Sequence, residues 1–125
     1  METSFSPIYR KAIEIFTLTK YVSQYMAHDM SGLKKNGNEH PHIYLTGDMI
    51  QKSASLFPEI VRAETKKHPE EKHKHAKTLE NLTTSLHKTC NKLEKSVSNS
   101  REFIQLLQSE LTRFKKMQKT WSLSL

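Results

Sequence analysis

Arg62 and His68 are the two residues whose types and spacing could together perform acid–base chemistry on a phosphodiester. Five residues separate them in the segment Arg62-Ala-Glu-Thr-Lys-Lys-His68. An arginine can stabilise the negative charge that develops on a phosphorane, and a histidine can accept or donate the proton of the attacking or leaving oxygen. The pair is therefore a candidate ribonuclease site.

This arrangement of arginine, five residues and histidine resembles the motif of the HEPN ribonucleases, which are small all-helical proteins. In that family a polar residue usually follows the arginine, whereas this chain has Ala63, and Pro69 directly follows the histidine. Two residue types at one spacing also arise by chance in a chain with 20 Lys and Arg residues. We therefore treat a ribonuclease that uses Arg62 and His68 as an alternative function, and we expect that the protein is not an enzyme.

The other histidines and the single cysteine do not form a second reactive site. A zinc site needs three or four converging ligands, and the spacing of His68, His73 and His75 does not place all three on one helical face. Cys90 lies on an apolar stripe, which is typical of a core thiol. There is no Gly-rich phosphate loop and no paired-carboxylate motif. The sequence therefore predicts no metal, no cofactor and no catalytic residue.

The charge of the chain is concentrated in its second half. The 125 residues carry 20 Lys and Arg against 13 Asp and Glu, a net charge of +7. Residues 1–65 contain seven bases and seven acids, so the whole excess lies in residues 66–125. A strongly basic region favours a polyanionic partner, and RNA or DNA is the first candidate. Because no apolar run approaches the roughly 18 residues of a membrane span, we expect a cytoplasmic protein with no membrane partner.

Apolar periodicity and helix boundary signals divide the chain into four helices. Ser6-Pro7 is a typical helix start, Pro58 should kink the second helix, and the two acids after Pro69 favour the start of the third. A long irregular segment at residues 28–41 separates the first two helices. The predicted helices span residues 7–26, 42–66, 69–97 and 100–121. A single domain over residues 1–125, an all-α antiparallel up-down four-helix bundle, accommodates them.

Basic residues of the third and fourth predicted helices lie opposite the apolar stripes. At 100° per residue, five lysines of the third helix fall within an arc of roughly 60°, and four bases of the fourth fall within roughly 100°. No acidic residue shares the first arc between Lys74 and Lys95, unlike an ordinary solubilising surface. Lysine predominates and aromatic residues are absent, which favours phosphate contacts over base recognition. The predicted nucleic-acid-binding residues are Lys74, Lys77, Lys88, Lys92, Lys95, Arg101, Lys115, Lys116 and Lys119.

Two segments resemble the four helix bundle protein family, which includes the proteins encoded by intervening sequences in bacterial 23S ribosomal RNA genes. Residues 55–65, Ser-Leu-Phe-Pro-Glu-Ile-Val-Arg-Ala-Glu-Thr, resemble the family's Ser-Ile-Pro-x-Asn-Ile-Ala-Glu segment. Residues 9–20, Tyr-Arg-Lys-Ala-Ile-Glu-Ile-Phe-Thr-Leu-Thr-Lys, resemble its first helix. Length, helix order and the basic C-terminal half fit the family over nearly the whole chain.

The departures from that family's pattern favour one of its branches. Glu59 stands where asparagine is usual, and Pro58 is displaced by one position, which leaves the related accessory variability determinants as the preferred interpretation. These are small basic bundles that work beside the reverse transcriptase of diversity-generating retroelements. The resemblance implies a ring-forming homo-oligomer, often a pentamer, whose basic surface contacts template RNA and the polymerase, and it implies no catalytic residues. An intervening-sequence-type bundle of unstated role is the alternative.

The first predicted helix has more apolar residues than one inward-facing stripe can bury. Tyr9, Ile13, Phe16, Tyr21 and Tyr25 come in addition to its core stripe. Surplus apolar surface of this kind favours a contact between proteins. Part of this helix is therefore expected to lie at a contact between subunits of the homo-oligomer.

Overall fold

A computed structural model describes residues 6–29, 42–96 and 100–125 of the protein. Within these residues the chain forms five α-helices and no β-strand: α1 (Pro7–Asp29), α2 (Tyr44–Ala54), α3 (Leu56–Thr65), α4 (Pro69–Ser96) and α5 (Arg101–Leu123). The predicted all-α fold is confirmed. Most of the irregular segment predicted at residues 28–41 lies outside the described residues, and its first two residues belong to α1.

α1 begins where the sequence predicts. The amide of Tyr9 donates a hydrogen bond of 3.4 Å to Oγ of Ser6, which is therefore the N-cap, and Pro7 occupies the first helical position. The helix continues three residues beyond its predicted end because the next strong breaker in the sequence, Gly32, comes later. Its inward-facing stripe is buried as predicted: Ile8, Ala12, Ile15, Thr19, Val22 and Met26.

The predicted second helix is interrupted, so that α2 and α3 meet at Ser55. Pro58 explains the interruption, because its ring clashes with the carbonyl group four residues earlier, at Ala54, and it has no amide proton to donate. The break therefore precedes the proline by three residues, within the helix that Pro58 is predicted to kink. His42 and Ile43 form a turn, so α2 begins two residues later than predicted.

α4 and α5 match the third and fourth predicted helices closely. Glu70 and Glu71 occupy the first turn of α4, where their charges favour the positive end of the helix dipole. Ser100 is the N-cap residue of α5, and the helix ends at Leu123, two residues later than predicted. These two long helices present the basic residues of the second half of the chain.

Hydrogen bonds between side chains and neighbouring helices show the relative direction of α4 and α5. Gln118 Nε2 donates to the carbonyl of Ala76 at 3.2 Å, and Gln108 Nε2 donates to Oδ1 of Asn91 at 2.7 Å. The residue nearer the end of α5, Gln118, bonds to the residue nearer the start of α4, Ala76, so the two helices are antiparallel. α4 also packs against α2 and α3, and α1 packs against α2, α3 and α5.

The five helices enclose one hydrophobic core to which every helix contributes. Val61 is an exception to the apolar pattern, at 40% exposure, because Leu56, Ile60 and Ala63 already occupy the inward side of α3. Among the described helices, none combines the length and the apolar character that a bilayer crossing requires. The largest fully buried side chains are Phe114, Ile15, Met26, Met49, Leu56, Ile60, Leu79, Leu86, Leu93, Ile104, Leu107 and Leu111.

The surplus apolar residues of α1 are partly covered by α3. The rings of Tyr9 and Phe16 lie 6.0 and 6.3 Å from the ring of Phe57, centroid to centroid. Tyr21 and Tyr25, by contrast, are 70% and 48% exposed. The unburied surplus is therefore smaller than the sequence suggests, and it lies in the second half of the helix.

Candidate nucleic-acid interface

Four of the predicted lysines of α4 project from the outer surface of the protein. Lys74, Lys88, Lys92 and Lys95 are exposed, and no carboxylate of the described residues forms an ion pair with any of them. The opposite side of α4 is buried in the core, which fixes the direction in which these lysines point. From Lys74 to Lys95 the helix rises about 32 Å at 1.5 Å per residue, close to one turn of duplex DNA.

Lys77, the remaining predicted lysine of α4, has an acidic neighbour. Its Nζ lies 3.6 Å from Oε1 of Glu80, and the two side chains are 66% and 60% exposed. Glu80 falls outside the lysine arc by helical geometry, but its side chain is long enough to reach into it. The surface is therefore not purely cationic. An ion pair this exposed contributes at most about 1 kcal/mol, so an anionic ligand can displace it.

The basic residues of α5 extend the same surface. Nζ of Lys115 lies 3.1 Å from Nδ1 of His87 on α4, and Nε of Arg101 donates to a main-chain carbonyl of α4 at 3.3 Å. Lys116 and Lys119 are exposed. Lys115 and Arg101 bond directly to α4, and Lys119 lines a groove together with Lys77 of α4, so these three residues share a surface with the α4 lysines. Lys116 is exposed on the same helix as these three residues. Together with the five lysines of α4, they form what we call the basic face.

A groove of about 420 Å³ lies between α4 and α5 within the basic face. Lys77 reaches it from α4, and Lys115 and Lys119 reach it from α5, so three of the nine predicted residues converge on one concavity. The sequence did not predict this convergence. Most of the other lining residues have polar side chains, and they are His73, Ala76, Glu80, Thr84, Gln118 and Ser122.

His87 holds Lys115 in place beside the groove. An ammonium group can only donate, so Nδ1 of His87 accepts, and the neutral imidazole carries its proton on Nε2. Partial burial, and secondarily the charge of Lys115, lower the pKa of His87 below its ordinary value of 6.5. At neutral pH, His87 is therefore an uncharged acceptor for Lys115.

The two residues of the candidate ribonuclease site are not joined by a hydrogen bond among the described residues. Nη1 of Arg62 instead donates to Oε1 of Glu59 at 2.6 Å, and Nδ1 of His75 lies 2.7 Å from the other carboxylate oxygen of Glu59. Glu59 is only 9% exposed, and its contact with His75 links α3 to α4. His68 is exposed in the short link between these helices. The arginine is therefore engaged in an ion pair within α3, with a carboxylate that also contacts α4.

The contact between Glu59 and His75 was not predictable from the sequence. The spacing of three residues between Glu59 and Arg62 was a readable signal for an ion pair on one helix. His75 comes 16 residues after Glu59, and the two meet only because α3 and α4 pack side by side. To predict this contact, one would have needed to know which helices pack against each other.

Cys90 is buried in the core, as predicted. Its Sγ lies 4.0 Å from the sulfur of Met49, and burial raises the pKa of the thiol to about 12. Within the described parts of the chain, no three His, Cys, Asp or Glu side chains are grouped so that they could hold a metal ion. Comparison with known proteins finds no relative, since no protein-family model, curated protein or solved structure matches the chain. The interpretation of the basic face therefore rests on its own residues and geometry.

Proposed function

We propose that this protein is a non-catalytic scaffold that binds the phosphate backbone of nucleic acid through the basic face. α1, the bent α2–α3 pair, α4 and α5 serve as the four members of an antiparallel up-down bundle. One observation carries the proposal: four exposed lysines of α4 lack a carboxylate partner among the described residues. Each ammonium group that pairs with a phosphate releases a condensed counterion, which favours binding.

The composition of the basic face favours contacts to phosphates over contacts to bases. Eight of its nine residues are lysines, which lack the planar fork that reads guanine or clamps a phosphate in two directions. None of the nine is aromatic, so the face has no platform on which a base could stack. We therefore propose that binding follows the spacing of phosphates and the shape of the nucleic acid, with little dependence on its sequence.

A salt titration tests the proposed binding. We expect the purified protein to bind short single-stranded RNA and duplex DNA, with an affinity that falls linearly on a double logarithmic plot against salt. The slope should be about 0.7 per phosphate contact for single strands and about 0.9 for duplex. Fluorescence anisotropy measures the affinity, and unrelated sequences should give similar values. Failure to bind either nucleic acid at low salt would contradict the proposal.

The resemblance to accessory variability determinants supports a more specific role. We propose that the protein is an accessory to the reverse transcriptase of a diversity-generating retroelement, and that the basic face contacts the template RNA and the polymerase. The position of the gene tests this role. A reverse transcriptase gene and a pair of near-identical repeats beside it support the proposal, whereas a position inside a 23S ribosomal RNA gene supports the alternative.

We also propose that α1 and α5 contribute the contact of a ring-forming homo-oligomer, a pentamer by resemblance. Tyr21, Tyr25, Phe103 and Leu106 are 70%, 48%, 43% and 49% exposed, and the rings of Tyr25 and Phe103 lie 4.9 Å apart. Exposed apolar side chains in such a group favour contact with another protein. Light scattering should give the mass of an oligomer, and Tyr21→Ser with Tyr25→Ser should reduce it. A monomeric wild-type protein at tens of micromolar contradicts the assembly.

The absence of catalysis is tested with a single substitution. We expect RNA to stay intact when it is incubated with the wild-type protein or with His68→Ala, because Arg62 is bonded to Glu59. Gel electrophoresis of labelled RNA measures cleavage. Cleavage by the wild-type protein that His68→Ala abolishes would replace the scaffold by the ribonuclease that the spacing of Arg62 and His68 predicts.

A further inference from the structure

The groove between α4 and α5 differs from the rest of the basic face in its shape. The α4 lysines beyond the groove lie on the convex surface of one helix, where each can approach a phosphate from one side only. In the groove, Lys77 approaches from α4 while Lys115 and Lys119 approach from α5. The three lysines outnumber the single carboxylate of the lining, Glu80, so the groove carries net positive charge, and a cleft focuses the field of such charges more strongly than a convex surface does.

We propose that this groove is a phosphate-binding site, which holds one backbone phosphate of the bound nucleic acid and so fixes the position of the strand on the protein. The inference rests on the proposed function and adds the place where the backbone is held. Three ammonium groups supply the charge. The hydroxyl group of Thr84 lines the same groove and can act as a neutral hydrogen-bond donor, whereas that of Ser122 already donates to the carbonyl of Lys119 at 3.1 Å.

One of the three ammonium groups is held in position without a ligand. Lys115 donates to His87 at 3.1 Å, whereas the contact of Lys77 with Glu80, at 3.6 Å, is long and exposed. A lysine that is already restrained loses less conformational freedom when it binds than a lysine that moves freely in solvent. Lys115 should therefore contribute more to affinity than a basic residue that is free elsewhere on the surface.

Glu80 supplies the carboxylate of the lining and opposes the binding of an anion there. It competes with a phosphate for Lys77, and its own charge repels the ligand. The contact between Lys77 and Glu80 is long and exposed, so a phosphate that three lysines attract can displace it. Glu80 thus limits the affinity of the groove, and removal of its charge should strengthen binding.

Two variants with effects of opposite sign test the site. Glu80→Gln should bind a short single-stranded RNA more tightly than the wild-type protein, and Lys115→Gln with Lys119→Gln should bind it more weakly. The loss of two contacts should reduce the salt slope by about 1.4, at about 0.7 per contact. Between about 1 M and about 0.1 M salt, the gain in affinity should then be roughly 25-fold smaller than for the wild-type protein.

Lys66→Gln with Lys67→Gln is the matched control, because it removes the same charge from the exposed link between α3 and α4. This control should lose much less affinity than the groove variant. A gain of affinity in Glu80→Gln cannot arise from misfolding, so the test does not depend on the folding of the lysine variant. Equal losses in the two double variants, with no gain in Glu80→Gln, would overturn the groove site and leave the basic face in place.

A second measurement separates failure of the groove from failure of the proposed function. If the wild-type protein binds no nucleic acid, the proposed function is wrong, and pyrophosphate is then titrated into the labelled protein and followed by NMR. Shift changes confined to the residues around the groove support a phosphate site. No shift change, or changes spread evenly over the basic residues of the chain, would overturn it.

Discussion

Four basic residues of α1 to α3 differ from the residues of the basic face in what they contact. In the first region Lys11 contacts Glu110 of α5, Lys52 pairs with an aspartate one turn earlier at 2.8 Å, and Arg62 pairs with a glutamate at 2.6 Å. Lys20 lies over an aromatic ring, with Nζ 4.9 Å from the ring centroid. These side chains stabilise a helix or join one helix to another.

On the basic face, Lys77 is the only one of the nine residues that pairs with a carboxylate of the described part of the chain. The other eight cations therefore remain available to a ligand. The same residue type serves the fold in one region and presents positive charge to the solvent in the other. Net charge alone does not reveal this difference, because it depends on where the acidic side chains lie.

Charge reversal on α4 should give the largest effect and is the strongest test of this difference. Lys88→Glu, Lys92→Glu and Lys95→Glu together replace three unpaired ammonium groups on a surface remote from the core. The loss of three contacts should reduce the salt slope by about 2.1, at about 0.7 per contact. Between about 1 M and about 0.1 M salt, the gain in RNA affinity should then be more than about 100-fold smaller than for the wild-type protein. Anisotropy measures the binding, and the thermal midpoint should change little because the positions are exposed.

The matched control for this reversal uses exposed bases outside the basic face. Arg10→Glu, Lys66→Glu and Lys67→Glu change the net charge by the same amount and break no ion pair of the described residues. Lys11 and Lys52 cannot serve here because both are already paired. Equal loss of binding in the two triple variants would show that affinity follows net charge and that the basic face has no special role.

Substitution of Lys11 should have the opposite profile, with a clear effect on folding and little on binding. Its side chain is 18% exposed, and a hydrogen bond to Glu110 is the main cause that raises its pKa above the ordinary value of 10.5. Lys11→Met leaves Glu110 with Arg113, at 3.6 Å, as its remaining partner. The free energy of unfolding should fall by about 1 to 2 kcal/mol, measured by urea denaturation. Lys74→Met, at an exposed site, should change it by less than about 0.5 kcal/mol, and equal effects would contradict the comparison.

The smallest expected effect concerns His87, the residue of α4 that restrains a lysine of α5. The pKa of His87 is lowered in the folded protein, so the unfolded chain binds the proton first as the pH falls. The contribution of His87 to the free energy of unfolding therefore has its full value above about pH 6.5 and decreases as the pH falls below it. His87→Gln keeps an acceptor for Lys115 and cannot be protonated.

Urea midpoints at about pH 7.5 and about pH 5.5 measure this contribution. The decline in stability between the two values should be smaller for His87→Gln than for the wild-type protein. His68→Gln, in the exposed link between α3 and α4, should keep the full decline. An identical decline in all three proteins would mean that the burial of His87 and the charge of Lys115 do not oppose protonation of the imidazole.

Much of the helical framework was predictable because it depends on neighbours along the chain. The apolar period of α1 identified its buried stripe, and Ser6-Pro7 identified its start. The interruption at Ser55 follows from the chemistry of Pro58 alone. The exposure of Val61 was not predictable in this way, because it depends on which side of α3 turns toward the core.

The groove between α4 and α5 was not predictable from the sequence either, because it also depends on how the helices pack. Helical geometry placed Lys77 and Lys119 on the outer sides of their helices, but it could not fix how α4 and α5 are rotated about their axes relative to each other. The carboxylate of Glu80 reaches Lys77 from outside the lysine arc, so side-chain length also mattered. Composition and period thus predicted the identity of the basic residues, and packing between helices determined which of them converge.

The buried thiol of Cys90 can report unfolding of the protein, because it reacts only when the core opens. Only the thiolate reacts with alkylating reagents, and burial raises the pKa of this thiol to about 12, so the folded protein holds very little thiolate at pH 7. Because the sequence has one cysteine, the rate at which Cys90 is alkylated reports how often the core around it opens. The rate can be followed with nucleic acid present, so stabilisation of the native state by a ligand becomes measurable without any change to the sequence.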